Sequence, residues 1–194
     1  PFAVGYSNVG RVTKVGKLVV NFKEGDRVFT GMSHRQFFNL TDGLKVPDYV
    51  SDEDASWSGL AVTTQKAVRQ VKHGMGDVGV VIGLGPLGQL VTQYLRVLGL
   101  REILIITRSK IRVDLAMTHG ATRAFCGPAA DAFSFVSGHT GDELADVVYD
   151  VTGNPGVLAS ALKLARRDGT VMLLGDTPTP SKQYITQDVV ARQV

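Results

Sequence analysis

The sequence predicts an α/β protein: a doubly wound parallel sheet preceded by a smaller region of antiparallel strands. Three observations carry that prediction. Apolar runs of strand length alternate with segments of helical period from Val78 onward. The first of these runs ends in a glycine turn, Gly83-Leu84-Gly85-Pro86-Leu87-Gly88. Before about residue 60 the texture differs, with short runs separated by Gly, Asn, Lys and Asp.

In that first region Val9-Gly10-Arg11-Val12 and Arg27-Val28-Phe29 read as small antiparallel strands. Asp52-Glu53-Asp54-Ala55 then starts a helix, its acidic residues suited to the positive end of the helix dipole. Leu60, Ala61, Val62, Ala67, Val68 and Val71 lead on toward the glycine turn. A domain boundary is expected near Gly59, giving one domain over 1–59 and a second over 60–194.

Val78-Gly79-Val80-Val81-Ile82 is a buried strand running straight into the turn. After it, Leu87, Leu90, Val91, Tyr94, Leu95 and Leu98 fall at helical spacing, so one face of a helix can pack on the sheet. Strand, glycine turn and helix together make the Rossmann seat for a pyrophosphate. Gly83 allows the bend, Gly85 lets the backbone approach the diphosphate, and Gly88 lets helix and strand pack closely. Three glycines at this spacing are a weak signal alone; the following strand strengthens it.

That strand is Ile103-Leu104-Ile105-Ile106, and it ends at Thr107-Arg108-Ser109-Lys110 with Arg112 close behind. An acidic residue at such a strand end accepts hydrogen bonds from the ribose 2′-OH of NAD. Here the position holds Thr107, whose hydroxyl beside guanidinium groups suits a 2′-phosphate, with Arg108 able to bind it in bidentate fashion. NADP(H) is therefore expected over NAD(H). Lys110 and Arg112 fit a solvated helix start equally well, and Arg108 is the stronger candidate.

The alternation continues. Arg123-Ala124-Phe125, Asp146 to Val151 and Thr170 to Leu174 read as strands, and Pro155 to Ala165 as a helix with Val157, Leu158, Ala161, Leu162 and Ala165 on its apolar face. Of 194 residues, 44% are apolar and 20% charged, with net charge +3. That suits a folded domain with a core. No run is long enough to span a membrane and no secretory leader opens the chain, so a cytoplasmic protein is expected. Basic residues are spread out and lack interleaved aromatics, which argues against nucleic acid. Cys126 is the single cysteine; it excludes an internal disulfide or a four-cysteine zinc site and is expected to pack at a strand end.

The order of segments resembles the medium-chain dehydrogenases and reductases, a superfamily of zinc-type alcohol dehydrogenases and quinone reductases. Gly5-Tyr6-Ser7-Asn8-Val9-Gly10 looks like the family's Gly-His-Glu-x-x-Gly segment, Phe22-Lys23-Glu24-Gly25-Asp26-Arg27-Val28 like its F-x-x-G-D-R-V turn, and Asp150-Val151-Thr152-Gly153 like its nicotinamide-ribose loop. The resemblance implies part of a GroES-like catalytic domain beside an incomplete Rossmann domain, hydride transfer to a small-molecule substrate, and a homo-oligomer when full length. It implies that Thr152 and Gly153 border the cofactor and that Leu174, Gly175 and Asp176 reach the nicotinamide carboxamide. Val62 and Thr63 would lie near the other side of the ring; for Val62 and Leu174 an ordinary packing role is as good a reading.

Departures from the family pattern inform the chemistry. Tyr6 and Ser7 stand where zinc members carry His and Glu, and Ser58 where they carry a later Cys or Glu. Neutral hydroxyls are poor zinc ligands, so no metal is expected in this segment. The interval from Phe29 to His34 leaves no room for a four-cysteine lobe. Without zinc a proton source is needed, and Tyr6, then His34, are the catalytic candidates. His73 is expected at the surface. The resemblance also implies a fragment lacking both ends, which would be aggregation-prone or inactive alone. The leading expectation is an NADP(H)-dependent oxidoreductase acting on a carbonyl, activated alkene or alcohol. The alternatives are a zinc alcohol dehydrogenase with ligands elsewhere and a non-catalytic NADPH-binding protein.

Overall fold

Short apolar runs punctuated by glycine build short strands, and the first part of the chain is a three-stranded antiparallel sheet. Its strands are β1 (Asn8–Arg11), β2 (Arg27–Thr30) and β3 (Leu44–Lys45), with Val9 opposite Phe29 and Phe29 opposite Leu44. The computed structural model describes residues 5–194 and divides into two compact units, Pro1–Thr63 and Thr64–Val194. The opening residues 1–4 of the first expected domain lie outside the described residues.

The helix expected from Asp52 is two helices. In α1 (Asp52–Ser56) the Ser51 hydroxyl caps the Asp54 N–H, and the turn closes at Trp57. Then α2 (Ser58–Gln70) runs on through Gly59 and buries Thr64, Ala67 and Val68.

The second unit is a five-stranded parallel sheet formed by β4 (Val78–Ile82), β5 (Glu102–Thr107), β6 (Arg123–Cys126), β7 (Ala145–Asp150) and β8 (Ala165–Leu173), in the order β6-β5-β4-β7-β8. Between them run α3 (Pro86–Leu98), α4 (Lys110–Thr118), α5 (Phe133–Thr140) and α6 (Leu158–Leu164), and α7 (Asp188–Ala191) follows. Parallel strands need such crossovers, and helices on both faces make the strands apolar on both sides.

The period-2 alternation of the strands sorts their side chains into two cores. Val81, Ile103, Ile105, Val147 and Tyr149 pack with Val91 and Leu95 of α3 and Ala116 of α4. Val78, Val80, Ile82, Leu104, Ile106 and Val148 pack with Val136 of α5 and Ala161 and Leu164 of α6. Burial of each such large side chain contributes about 1.5–3 kcal/mol before the entropy cost of ordering it.

Several expectations are corrected. Leu98 faces outward, 52% exposed, because α3 turns its Gly88, Val91 and Leu95 face to the sheet. The helix expected over 155–165 begins as a 3-10 turn (Pro155–Val157), becomes α6, and yields Ala165 to the last strand. Cys126 ends β6 but is exposed rather than packed. His73 is half-buried and bonded to Tyr149 rather than at the surface. Among the described residues no helix is long and apolar enough to cross a membrane.

Candidate functional site

Carboxyl ends of parallel strands lie along one edge of a sheet, and a ligand crevice forms where the strand order reverses. Here that point is between β4 and β7. The Gly83 N–H donates to the Ile106 carbonyl at 2.9 Å, and the Val151 N–H donates to the Ile82 carbonyl at 3.0 Å. The glycine turn therefore sits between the β5 end and the 151–153 loop.

Within the turn the glycines have separate tasks. Gly83 has φ 95°, and a Cβ there would meet Thr152 Cγ2 at 2.9 Å. A Cβ on Gly88 would lie 1.9 Å from the Gly83 carbonyl oxygen, so the first turn of α3 rests on the strand end. Gly85, the N-cap, faces open space, with no atom within 4 Å of a Cβ built on it. Leu84 is buried in the core and Pro86 takes the first helical position, where its missing N–H costs nothing. Leu87 is half-buried beside it. The N–H groups of the first helical turn lack intrahelical acceptors and carry the positive end of the dipole toward this space.

At the end of β5, Thr107 is buried and its Oγ accepts from the Ser109 N–H at 3.1 Å, which leaves its own proton to donate. Arg108 and Arg112 are exposed. Ser109 is the N-cap of α4, with no side-chain bond into its first turn.

On the other flank, Asp150 is buried and its Oδ1 accepts from the Thr152 N–H at 3.0 Å and the Thr152 hydroxyl at 2.7 Å. Its carbonyl accepts from Leu174 at 2.9 Å and Gly175 at 3.0 Å. A Cβ on Gly175 would stand 2.2 Å from the Gly153 nitrogen, and one on Gly153 2.2 Å from the Asp176 carbonyl oxygen. The 151–153 and 174–176 backbones are thus held face to face. Leu174 is half-buried against the first core, whereas Asp176 is exposed.

The structure thus brings together the turn at 83–88, Thr107 and Arg108, Thr152 and Gly153, and Gly175 and Asp176, all at one edge of one sheet. The sequence marks Asp150 only as part of the 150–153 loop, though an Asp-x-Thr turn pattern could have flagged its role, and no spacing rule points to Gln89. Tyr6 and His34 belong to the first unit. Tyr6 is 70% exposed, and His34 is exposed with its Nε2 2.9 Å from the Ser7 carbonyl. A groove in the same unit, lined in part by Arg11, Val28, Phe37 and Leu40, contains neither of them.

Residues 86–194 match the model of the family described as zinc-binding dehydrogenase. The chain belongs to the zinc-binding dehydrogenase family. An L-threonine 3-dehydrogenase of Bacillus licheniformis is 28% identical over 98% of the chain, which spans 64% of that relative's length. The alcohol dehydrogenase TADH from Thermus sp. ATN1 superposes with TM-score 0.84 at 24% identity, over 97% of this chain and 66% of that one. The mycobacterial protein Rv1454c, complexed with NADPH, gives TM-score 0.81 at 25% identity, over 98% and 62%. The mixed fold is thus that of zinc-binding dehydrogenases.

The family description implies a zinc, and the donors here do not fit one. The Ser7 hydroxyl donates to the Ser56 carbonyl, and His34 Nε2 lies against the Ser7 carbonyl. Among the described residues no group of three or more His, Cys, Asp or Glu side chains converges to hold a metal. A nicotinamide dinucleotide fits better, since the Gly85 space is open and the donors of α3 point to it.

Proposed function

We propose that this chain carries the NADP(H) seat of an oxidoreductase that moves hydride between nicotinamide and a carbonyl, an activated alkene or the matching alcohol. The observation that carries the reading is the division of labour in the turn: Gly88 is locked against the Gly83 carbonyl while Gly85 opens on free space at the strand-order reversal. The turn from Gly83 to Gly88 would hold the diphosphate through its unpaired backbone N–H groups, the Gly83 N–H being engaged with Ile106 and Pro86 having none. Thr107 and Arg108, with Arg112, would hold the 2′-phosphate, the hydroxyl donating and the guanidinium supplying charge. Thr152, Gly153, Leu174, Gly175 and Asp176 would border the nicotinamide end. When bound, the cofactor supplies or accepts hydride at its nicotinamide C4, and the protein contributes orientation and electrostatics.

Tyr6, whose phenol is exposed, is the proposed source of the proton that balances hydride transfer, with His34 second because its Nε2 is engaged with a backbone carbonyl. The reading involves no metal. The relatives' names, threonine and butanediol dehydrogenases among them, support a small alcohol or carbonyl as substrate.

Titration with NADPH and NADH, repeated on Arg108→Ala, tests the cofactor assignment. A charge-assisted contact of about 1.4 kcal/mol corresponds to tenfold in affinity, so NADPH should weaken about tenfold and NADH less than twofold. Equal affinities unaffected by the substitution would refute it. Turnover of a carbonyl, quinone and alcohol panel separates an enzyme from a protein that only binds NADPH.

A further inference from the structure

Gln89 joins the two ends of the nucleotide seat. It directly follows Gly88 in the first turns of α3, and its N–H donates to the Gly85 carbonyl at 3.0 Å. The residue is 9% exposed and its Nε2 donates to the Arg112 carbonyl at 3.0 Å, a link across 23 residues. Arg112 lies in the first turn of α4, the turn that carries Arg108 and Ser109 at its entrance. One amide therefore ties the diphosphate helix to the basic turn.

Two further observations argue that this link has a purpose beyond packing. The Gln89 Oε1 is buried without a hydrogen-bond partner. An amide buried with one end unsatisfied costs free energy that Met or Leu in the same space would not. In addition, the Ser109 side chain makes no cap bond into α4, whose first turn is closed by the backbone bond from the Arg112 N–H to the Ser109 carbonyl. The Gln89 amide holds that turn to α3 through the Arg112 carbonyl.

We infer that Gln89 is a positioning residue that sets the preference for a 2′-phosphorylated dinucleotide. It does so by keeping the Arg108–Arg112 turn in register with the helix that receives the diphosphate. The inference rests on the NADP(H) reading above. A 2′-phosphorylated nucleotide engages both parts of the seat, its 5′-phosphate at α3 and its 2′-phosphate at the basic turn, so loss of register should weaken ligands that carry the 2′-phosphate and spare those that do not.

The test is Gln89→Met, with Gln89→Leu as a second variant should the first not fold, titrated with NADPH, NADH, 2′,5′-ADP and 5′-AMP. The expected result is a fivefold or greater weakening of NADPH and 2′,5′-ADP, with NADH and 5′-AMP within twofold. In an Arg108→Ala background the same substitution should change NADPH affinity by less than twofold, because its effect passes through the basic turn. Parallel weakening of all four ligands, or an unchanged NADPH to NADH ratio, overturns the positioning role and leaves the cofactor reading standing. A wild-type chain that binds neither dinucleotide, or both equally, removes the cofactor reading and this inference with it.

Discussion

The His73 imidazole stacks on the Tyr149 ring, with centroids 6.3 Å apart, planes 15° from parallel, and Nε2 3.0 Å from the phenol oxygen. Burial pushes the His73 pKa below its usual range, against the opposing pull of Asp77 and of the Val68 carbonyl. Burial also raises the Tyr149 pKa, so the phenol stays neutral and can donate to a neutral ring. His73 Nδ1 is buried without a hydrogen bond of good geometry.

This pair predicts a pH dependence of stability. A histidine whose folded pKa is depressed binds its proton more readily unfolded, so its contribution is full above the unfolded value of about 6.5 and is lost as pH falls below it. Chemical denaturation from pH 8 to 5 should show declining stability. His73→Gln, which can bond the phenol without titrating, should flatten the part of the slope below pH 6.5. An unchanged slope would rule this source out.

The glycine turn predicts opposite outcomes for neighbouring glycines. Gly88→Ala places a methyl where 1.9 Å separates it from the Gly83 carbonyl, and should lower stability by about 1–3 kcal/mol or more. The Cβ that Gly85→Ser adds has open space around it, the backbone φ of −69° suits a side chain, and the hydroxyl supplies a favoured N-cap. Its melting temperature should hold or rise while NADPH affinity falls at least tenfold. Paired thermal melts and titrations distinguish the two.

Thr152→Val should loosen the 150–153 loop. It removes the hydroxyl bond to the buried Asp150 carboxylate and the one the hydroxyl accepts from the Asn154 N–H, and retains the backbone bond to Asp150, so a loss of about 1–2 kcal/mol in urea unfolding is expected. No loss would mean that the carboxylate finds another donor.

Arg192 closes the far end of α6. Its guanidinium donates to the carbonyls of Leu162 at 2.7 Å and Ala165 at 2.6 Å and pairs with Asp188 at 2.8 Å. The Thr186 hydroxyl, then Arg192, hold the Asp188 pKa below the usual carboxylate range despite partial desolvation. Arg192→Ala should cost about 2–3 kcal/mol, and Arg192→Lys should recover only part, because an ammonium cannot reproduce the planar fork. Full recovery by Lys would show that charge alone suffices.

Much of the second unit is readable from residues alone. Val78–Ile82 and Ile103–Ile106 are apolar enough to demand burial on both faces, and the glycines between them impose the turn, so β4, α3 and β5 follow from local chemistry. Elements whose pattern is weak were not readable. The α4 apolar side chains Ile111 and Leu115 are exposed, so no stripe marks its face, and β3 has only Leu44 and Lys45, held by pairing to β2. The early start of β8 at Ala165 likewise depends on a distant partner, Ala145 of β7.

For the site, the sequence by itself determined the kind of seat: three glycines of distinct use and a basic strand end without an acidic residue. Only the tertiary structure decided which groups meet there. Asp150 ordering Thr152, Gly153 lying against Asp176, Gln89 reaching Arg112 and His73 stacking on Tyr149 all join residues remote in sequence or ambiguous in pattern. Backbone conformation and burial are set by nearest neighbours and period, whereas hydrogen bonds between elements depend on sheet order and register, which no local pattern encodes.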